Sequence, residues 1–228
     1  MTTTKEGLFE LLSAAIKGRA ILFCGAGASI DSINVNLQEL PTINPLLAIM
    51  NKNLNTNYSR IDIAASKLAD KSIEQYFKLI TDTFKVTSVS DDMDDIIKYP
   101  WKRIYTTNYD NSIEMSCDKI RKKHHVYTQG DDPDNIVKSD LSIVHLHGYI
   151  NRFDYKNIRE SCILDYNSNI ANNVYDGPWS VLLKNDMATA DVIVFLGYSL
   201  YDPEIAKLML SGKVIKKKIF FYKFIHKK

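Results

Sequence analysis

A glycine-rich segment directly follows the first strongly apolar run of the chain. Gly25, Ala26, Gly27 and Ser29 lie in the sequence GAGAS, immediately after residues 20–24. Glycines allow a ligand to approach the backbone closely, and the free N–H groups at the start of a helix bind phosphate oxygens. The segment therefore predicts a site for the diphosphate of a nucleotide where a helix begins. A tight turn between a strand and a helix is the structural alternative.

The surroundings of this segment do not fit an ordinary dehydrogenase. In that class of enzyme an acidic residue about 20 positions after the glycines binds the ribose. Here Asp31 comes too early, and Pro41 and Pro45 interrupt the region in which a second strand would lie. The predicted phosphate site is therefore not of the dehydrogenase kind.

An amide and a carboxylate lie at the end of a second strand-like run. The run of residues 103–107 ends at Asn108, and Asn108 and Asp110 belong to the sequence TTNYD. An amide can hold a water molecule or a ribose hydroxyl, and a carboxylate can accept hydrogen bonds from a carboxamide N–H₂ group. Alternatively, either side chain caps the helix that follows.

Two histidines mark the end of a third apolar run. His145 and His147 are two residues apart, so they share one face of a strand, and Gly148 follows. An imidazole can take a proton from a hydroxyl or from water near neutral pH. We predict that His147, at the strand end, is a general base and that His145 has a hydrogen-bonded role in the core. His124 and His125 follow three basic residues and predict a solvated loop.

A fourth motif, GYSLYDP, closes the apolar run of residues 192–196. Gly197 allows close approach of a ligand, and Ser199 offers one hydroxyl to a ribose or phosphate. Asp202 is followed by proline, a pair that is typical of the first turn of a helix. We therefore predict nucleotide contacts from Gly197 and Ser199 and a helix cap from Asp202.

Metal binding by the third motif is a weaker alternative. Two histidines on one strand face can chelate a metal, with Asp110 or Asp202 as a further ligand. The three cysteines, Cys24, Cys117 and Cys162, lie far apart, so the chain has no CxxC pair of the kind that builds zinc ribbons. We predict that the site contains no metal.

The four motifs must be positioned by the strands that precede them. Residues 20–24 form a short, continuous apolar run, as a strand buried on both faces of a parallel sheet does. The runs 103–107, 141–146 and 192–196 are also strand-like, and each ends in small or polar residues. Helical periodicity lies between them, so we predict an α/β fold with a Rossmann-like, doubly wound, mostly parallel sheet. In such a sheet, ligands bind at the carboxyl ends of the strands, where all four motifs would meet.

One domain accounts for the whole chain of 228 residues. We predict that it spans residues 1–228, with its Rossmann-like core at about 5–30 and 100–228. The region of about 40–99 has helical periodicity and predicts a helical insert that caps the sheet. A final strand is predicted at residues 219–225.

Composition limits the class of partner. Lysine and arginine number 29 and aspartate and glutamate 27, so the net charge of +2 favours neither nucleic acid nor a membrane surface. No apolar run approaches the roughly 20 residues that span a bilayer. An odd number of dispersed cysteines is typical of a reducing compartment, so we expect a cytoplasmic protein.

Taken together, GAGAS, TTNYD, the His-Gly pair and GYSxxDP resemble the sirtuin-like superfamily, and specifically its zinc-free bacterial branch in anti-phage defence proteins. The resemblance covers roughly residues 8–210. It implies NAD⁺ as the substrate and no metal cofactor. It assigns catalysis to His147 and Asn108, and nucleotide binding to Gly25, Ala26, Gly27, Ser29, Asn108, Asp110, Gly197 and Ser199.

The same resemblance implies a particular reaction. Sirtuins that deacetylate proteins carry a four-cysteine zinc module, which this chain lacks, and the helical insert stands in its place. What remains is cleavage of the bond between nicotinamide and ribose with water as acceptor, in an effector that depletes NAD⁺ during anti-phage defence. The resemblance also implies a homo-oligomer or a partner defence subunit. The alternative is a non-catalytic module that senses NAD⁺ or ADP-ribose.

Overall fold

The computed structural model describes residues 5–164, 177–198 and 218–222. Its strands are β1 Ala20–Cys24, β2 Ile33–Asn34, β3 Val86–Ser88, β4 Arg103–Thr106, β5 His124–Thr128, β6 Leu141–His145, β7 Val192–Leu196 and β8 Lys218–Tyr222. Its α-helices are α1 Lys5–Ile16, α2 Ile43–Leu54, α3 Ile61–Lys71, α4 Ile73–Phe84, α5 Asp91–Ile97, α6 Ser112–Lys119, α7 Ile158–Ser161 and, as α8, Pro178–Thr189. Within these ranges, no helix has the length and apolar character that crossing a membrane requires.

Six of the strands form one sheet in the order β5-β6-β4-β1-β7-β8, and every pairing in it is parallel. From β1 the chain fills one side of the sheet with β4, β5 and β6, and it then crosses to the other side with β7 and β8. Strand order therefore reverses at β1, and in open parallel sheets this reversal opens a ligand-binding crevice. The predicted α/β, doubly wound, parallel sheet is confirmed.

Both faces of the sheet are covered, which explains why β1 is apolar without alternation. Leu22 packs in one cluster with residues of α1, α5 and α6, whereas Phe23 packs in another with Trp179 of α8. All five residues of β1 are buried. A strand sandwiched between two helical layers needs apolar side chains in both directions.

Helices α2, α3 and α4 form the predicted insert around a separate apolar cluster that contains Met50, Leu68 and Ile80. The side chain of Ser72 caps α4 by accepting a hydrogen bond from the Gln75 N–H at 3.2 Å. Helix α5, which lies within the region predicted as the insert, packs instead on the sheet. Strand β3 of the insert pairs in a small antiparallel ladder with β2, which precedes the insert, and the apolar periodicity did not reveal this ladder.

The insert is joined to the loop after β4 by the side chain of Asn111. Its Oδ1 accepts a hydrogen bond from the N–H of Val86 at 2.8 Å, and its Nδ2 donates to the carbonyl oxygen of the same residue at 3.3 Å. Nearby, the ring of Phe84 lies 5.2 Å from that of Tyr109. The two hydrogen bonds of the Asn111 side chain thus hold Val86 of β3 to the loop after β4, and the ring contact between Phe84 and Tyr109 supports them.

The prediction of a solvated loop at His124 and His125 was wrong, because both residues begin the edge strand β5. An edge strand pairs on one side only and tolerates polar side chains that reach solvent. The ring of His125 lies 3.0 Å from a carboxylate oxygen of Asp140. The last predicted strand is present as β8, over a part of the predicted range.

A buried ion pair fastens α8 to the amino end of β4. Arg103 and Asp186 form a salt bridge and both are buried, with 8% and 3% of their surface exposed. The hydroxyl of Tyr105 donates to the same carboxylate at 2.7 Å, and the ammonium group of Lys102 lies 2.8 Å from its other oxygen. This cluster lies at the end of the sheet opposite the crevice.

Replacing Asp186 by alanine is expected to lower the free energy of unfolding by about 3–5 kcal/mol, because Arg103 would stay buried without its counter-ion. Urea unfolding measures the loss. The matched control is Asp191→Ala, which removes an exposed salt bridge of 2.6 Å to Arg19 and should cost less than about 1 kcal/mol. Equal losses in the two variants would contradict this prediction.

Candidate active site

The register of the sheet brings the predicted motifs to one edge. Cys24 of β1 pairs with Thr106 of β4 and with Leu196 of β7, and Thr106 also pairs with His145 of β6. These four residues form a single row across the carboxyl ends of the strands. The predicted site residues that follow this row are Gly25, Asn108, His147 and Gly197.

The helix predicted to begin in GAGAS is present as a short 3₁₀ turn. After β1 the chain makes a single 3₁₀ turn at Ala26–Ala28 and then continues towards β2. The N–H of Gly25 donates to the carbonyl of Leu196, and the N–H of Gly27 donates to the carbonyl of Gly197, both at 2.9 Å. Backbone donors that a phosphate would need are therefore bound to the end of β7 and the loop after it.

The glycines of this loop allow two backbones to touch. A Cβ atom on Gly27 would lie 2.9 Å from the Cα of Gly197, and one on Gly197 would lie 2.0 Å from the backbone nitrogen of Ala28. Gly197 also has a φ of +61°, a region that side chains disfavour. The loops after β1 and β7 are therefore interlocked, and this contact requires glycine independently of any ligand.

Replacing Gly197 by alanine is expected to destabilise the protein more than the same change at Gly18. Gly18 has a similar φ of +64°, but a Cβ there would meet nothing within 4 Å. Its replacement isolates the backbone cost of about 1–2 kcal/mol. Gly197→Ala adds a steric clash worth about 1–3 kcal/mol. Urea unfolding of the two variants measures the difference, and equal midpoints would count against the interlocked loops.

The side chain of Asn108 bridges the loops after β1 and β4. Its Nδ2 donates to the carbonyl oxygen of Gly25 and to Oγ of Ser29, both at 3.0 Å. A carbonyl can only accept a hydrogen bond, so the amide orientation follows from chemistry. With both amide hydrogens engaged, Oδ1 is the atom of this side chain that can accept a hydrogen bond from a ligand. The side chain is buried, with 7% of the residue exposed.

Ser29 and Asp110 stabilise this bridge through a chain of hydrogen bonds. The Ser29 hydroxyl donates to Oδ1 of Asp110 at 3.1 Å, so the contact of 2.9 Å to Ser112 Oγ is donated by Ser112. The same Asp110 oxygen accepts from the N–H of Ser112 at 3.0 Å, at the start of α6. Burial raises the pKa of Asp110, although the hydrogen bonds from Ser112 and Ser29 and the proximity of His145 oppose this effect.

These contacts bear on two sequence predictions. Ser29 was predicted to contact the nucleotide, yet its hydroxyl is fully used by Asn108, Asp110 and Ser112. Asp110 was expected either to bind a carboxamide or to cap a helix. Its bond to the Ser112 N–H forms an Asx-turn just before α6, whose N-cap residue is Asn111.

His145 contacts the backbone of Asn108 and is fully buried. Its Nδ1 lies 2.9 Å from the carbonyl oxygen of Asn108 and therefore donates to it, while its Nε2 lies 2.8 Å from Oε1 of Glu114. Burial by itself lowers the pKa of this imidazole, but the Glu114 carboxylate, the hydrogen bond to Asn108 and the charge of Asp110 together raise it, and the net shift of the pKa is upward. Because both ring nitrogens are engaged, His145 is not available as a metal ligand.

His147 lies two residues beyond the row of strand ends and is half-buried. Its carbonyl oxygen accepts a hydrogen bond from the N–H of Ile163 at 2.9 Å. The following Gly148 has a φ of +105°, and a Cβ there would lie 2.0 Å from the carbonyl oxygen of Ser161. The turn at His147 and Gly148 thus packs closely against the end of α7 and the residues that follow it.

Two of the predicted residues, Ser199 and Asp202, lie outside the described residues. Glu114 and Ser112, in contrast, contribute to the site without having been predicted. Their positions in the first turn of α6 are the only sequence signal for them, since such positions face the preceding strand end. Among the described residues, no three histidine, cysteine, aspartate or glutamate side chains gather as a metal site.

With this geometry in place, comparison with known proteins identifies the family. The sequence model of the SIR2-like domain matches residues 102–218, which is half of the chain. The chain belongs to the SIR2-like domain family. The matched region of this SIR2-like domain contains Asn108, Asp110, His147 and Gly197.

The chain is similar to two curated proteins that are both named NAD(+) hydrolase ThsA. The protein from Cytobacillus dafuensis is 27% identical over 231 residues, which cover 94% of this chain and 42% of the relative. The protein from Enterococcus faecium is 27% identical over 227 residues, which cover 90% of this chain and 42% of the relative. This SIR2-like chain therefore spans less than half the length of either relative.

A solved structure described as the structural basis for the mechanism and regulation of Sir2 enzymes is also similar. It covers 93% of this chain and 84% of its own, at 15% sequence identity and a TM-score of 0.48.

Proposed function

We propose that this SIR2-like chain hydrolyses NAD⁺ to nicotinamide and ADP-ribose. The observation that carries the proposal is the position of Asn108, whose amide joins the glycine loop to the loop after β4 at the carboxyl ends of the strands. Strand β6, which His147 follows, ends in the same row. The name of the two relatives, NAD(+) hydrolase, supports the same reaction.

The reaction breaks the bond between C1′ of the ribose and the ring nitrogen of nicotinamide. The electron pair of that bond stays with nicotinamide, which leaves as a neutral molecule and needs no general acid. The ribose passes through an oxocarbenium-like state, to which water adds and loses one proton. The site must therefore hold the dinucleotide, orient its glycosidic bond and accept one proton.

Asn108 and His147 suit the last two tasks. Oδ1 of Asn108 accepts a hydrogen bond from a ribose hydroxyl or from the attacking water, because its amide hydrogens are held by Gly25 and Ser29. A fixed acceptor of this kind lowers the barrier by positioning the reacting atoms. His147 takes the proton of the water or of a ribose hydroxyl, as a general base does.

The remaining predicted residues have supporting parts in this proposal. The loop of Gly25, Ala26 and Gly27 lies against Gly197, so the two loops present one continuous wall to the dinucleotide. Ser29 and Asp110 hold Asn108 in place. For these loops to contact the nucleotide, the dinucleotide must lie along them at the carboxyl ends of the strands, where ligands bind in other doubly wound sheets.

We further propose that the reaction depletes NAD⁺ during anti-phage defence. Continuous hydrolysis of NAD⁺ would harm the cell that makes the enzyme, so the activity requires control by a homo-oligomer or by a partner subunit. The two relatives are more than twice as long as this chain, which leaves room in them for further domains.

Incubation of the full chain with NAD⁺, followed by chromatography of the products, tests the proposed reaction. Equal amounts of nicotinamide and ADP-ribose are expected, and the ratio shows that water is the acceptor. Calorimetric binding of NAD⁺ without either product, in every assembled form of the chain, would favour the sensing module. Absence of both binding and turnover would overturn the proposal altogether.

A further inference from the structure

We propose that His145 is a positioning residue for Asn108, with Glu114 holding the imidazole ring in place. This inference rests on the proposed function, since it concerns how the site keeps Asn108 in a reactive position. His145 does not reach the substrate, because both of its ring nitrogens are bound to protein groups.

The backbone of Asn108 lies beyond the last residue of β4, where the sheet no longer holds it. Its N–H donates instead to Oγ1 of Thr106 at 2.9 Å, and its carbonyl oxygen accepts from Nδ1 of His145 at 2.9 Å. Side chains therefore bind both backbone polar groups of Asn108. Loss of the His145 bond would allow the peptide between Asn108 and Tyr109 to rotate, which would move the amide that reaches Gly25.

Glu114 fixes which way the imidazole ring faces. Its Oε1 lies 2.8 Å from Nε2, and with that nitrogen bound the other one is directed at Asn108. Histidines that bind metals are oriented by a carboxylate in the same way, through the nitrogen that is not at the reactive position. Here the oriented group is a backbone carbonyl.

Packing by itself does not account for this pair. His145 has no exposed surface, and Glu114 is 5% exposed. Of the Glu114 oxygens, Oε2 is buried and makes no hydrogen bond within the described part of the chain. Replacing a buried ion pair by apolar side chains of similar size is often neutral or stabilising. Two apolar residues would therefore fill this part of the core equally well, but they could not donate a hydrogen bond to the Asn108 carbonyl oxygen. We call this hydrogen bond from His145 the tether.

The test compares variants that remove both charges and differ in one donor. In the double variant His145→Phe with Glu114→Leu, the tether is absent and no charge is left buried. In His145→Asn with Glu114→Leu, the asparagine amide replaces the Nδ1–H donor. We expect kcat for nicotinamide release to fall about 10- to 100-fold in the first variant, because small misplacements in a site have effects of this size. The second variant should recover most of this loss.

Two further readouts separate positioning from stability. KM for NAD⁺ should change by less than about threefold, because the tether acts on the reacting groups and not on uniform binding. The matched control is Arg103→Met with Asp186→Leu, which removes a second buried ion pair at the opposite end of the sheet. This control is expected to keep the kcat of the wild-type chain whatever its unfolding midpoint.

Each outcome decides between the two proposals. Full kcat in a folded His145→Phe, Glu114→Leu variant would overturn the positioning role and leave NAD⁺ hydrolysis standing. Absence of turnover in the wild-type chain, measured first, would overturn the proposed function and the role of His145 with it. Should the double variants fail to fold, His145→Asn and His145→Ala with Glu114 unchanged give the same comparison, and equal kcat in these two would refute the tether.

Discussion

Alanine at position 108 is expected to reduce nicotinamide release from NAD⁺ by about 100-fold or more, because removal of one fixed polar group from a reaction site has effects of this size. The substitution removes Oδ1, the acceptor for a ribose hydroxyl or the attacking water. It also removes the two hydrogen bonds that join the loops after β1 and β4. The first loss lowers kcat directly, and the second loosens the glycine loop.

Steady-state rates measured by product chromatography quantify the effect of Asn108→Ala. The variant must be compared per folded molecule, because loss of two buried hydrogen bonds should also lower stability by about 1–3 kcal/mol. Asn53→Ala is the matched control, since Asn53 is exposed on α2 and donates only to the carbonyl of Ile49 in its own helix. Turnover of Asn108→Ala within a few fold of the Asn53→Ala value would rule out a direct role for the amide.

Removal of the His147 imidazole is expected to have the second large effect. A general base contributes about 10²- to 10⁴-fold to a rate, so His147→Ala should lose a factor in this range. The loss should fall on kcat, because the proton is transferred only as water attacks. Binding of ADP-ribose, which needs no proton transfer, should remain close to that of the wild-type chain.

A second histidine provides the control for this variant. His125 is also partly buried, and its ring lies 3.0 Å from Asp140, but it sits near the start of the edge strand β5, away from the crevice. Kinetics of His125→Ala should match the wild-type chain. If the two histidine variants retain the same turnover, the base of the reaction lies elsewhere in the site.

The sheet could be predicted from sequence because its central strands have a simple pattern. Residues 20–24 and 192–196 are continuously apolar, and strands buried between two helical layers require that. Strand β5 was missed for the opposite reason. Its sequence, HHVYT, begins with polar residues, and an edge strand carries no apolar pattern on its open side.

Local sequence was less informative about the site itself. The position of Asn108 at the crevice followed from its place after β4, since parallel strands end at one edge. The bonding of the glycine loop to Gly197, and of His145 to Glu114, depends on residues that are far apart along the chain. No spacing rule connects such pairs. For this reason the loop looked like a helix start, and the contact between His145 and Asn108 was not predicted.

The double hydrogen bond between Asn111 and Val86 has a mechanical consequence for the whole crevice. Asn111 directly follows Asp110 in the loop after β4. In this loop Asn111 binds the insert at Val86, and Asp110 accepts a hydrogen bond from Ser29, which in turn binds Asn108. A shift of the insert must therefore either break both bonds at once or drag the loop along. Movement of α2, α3 or α4 is therefore coupled through Asn111 to the loop that carries Asn108.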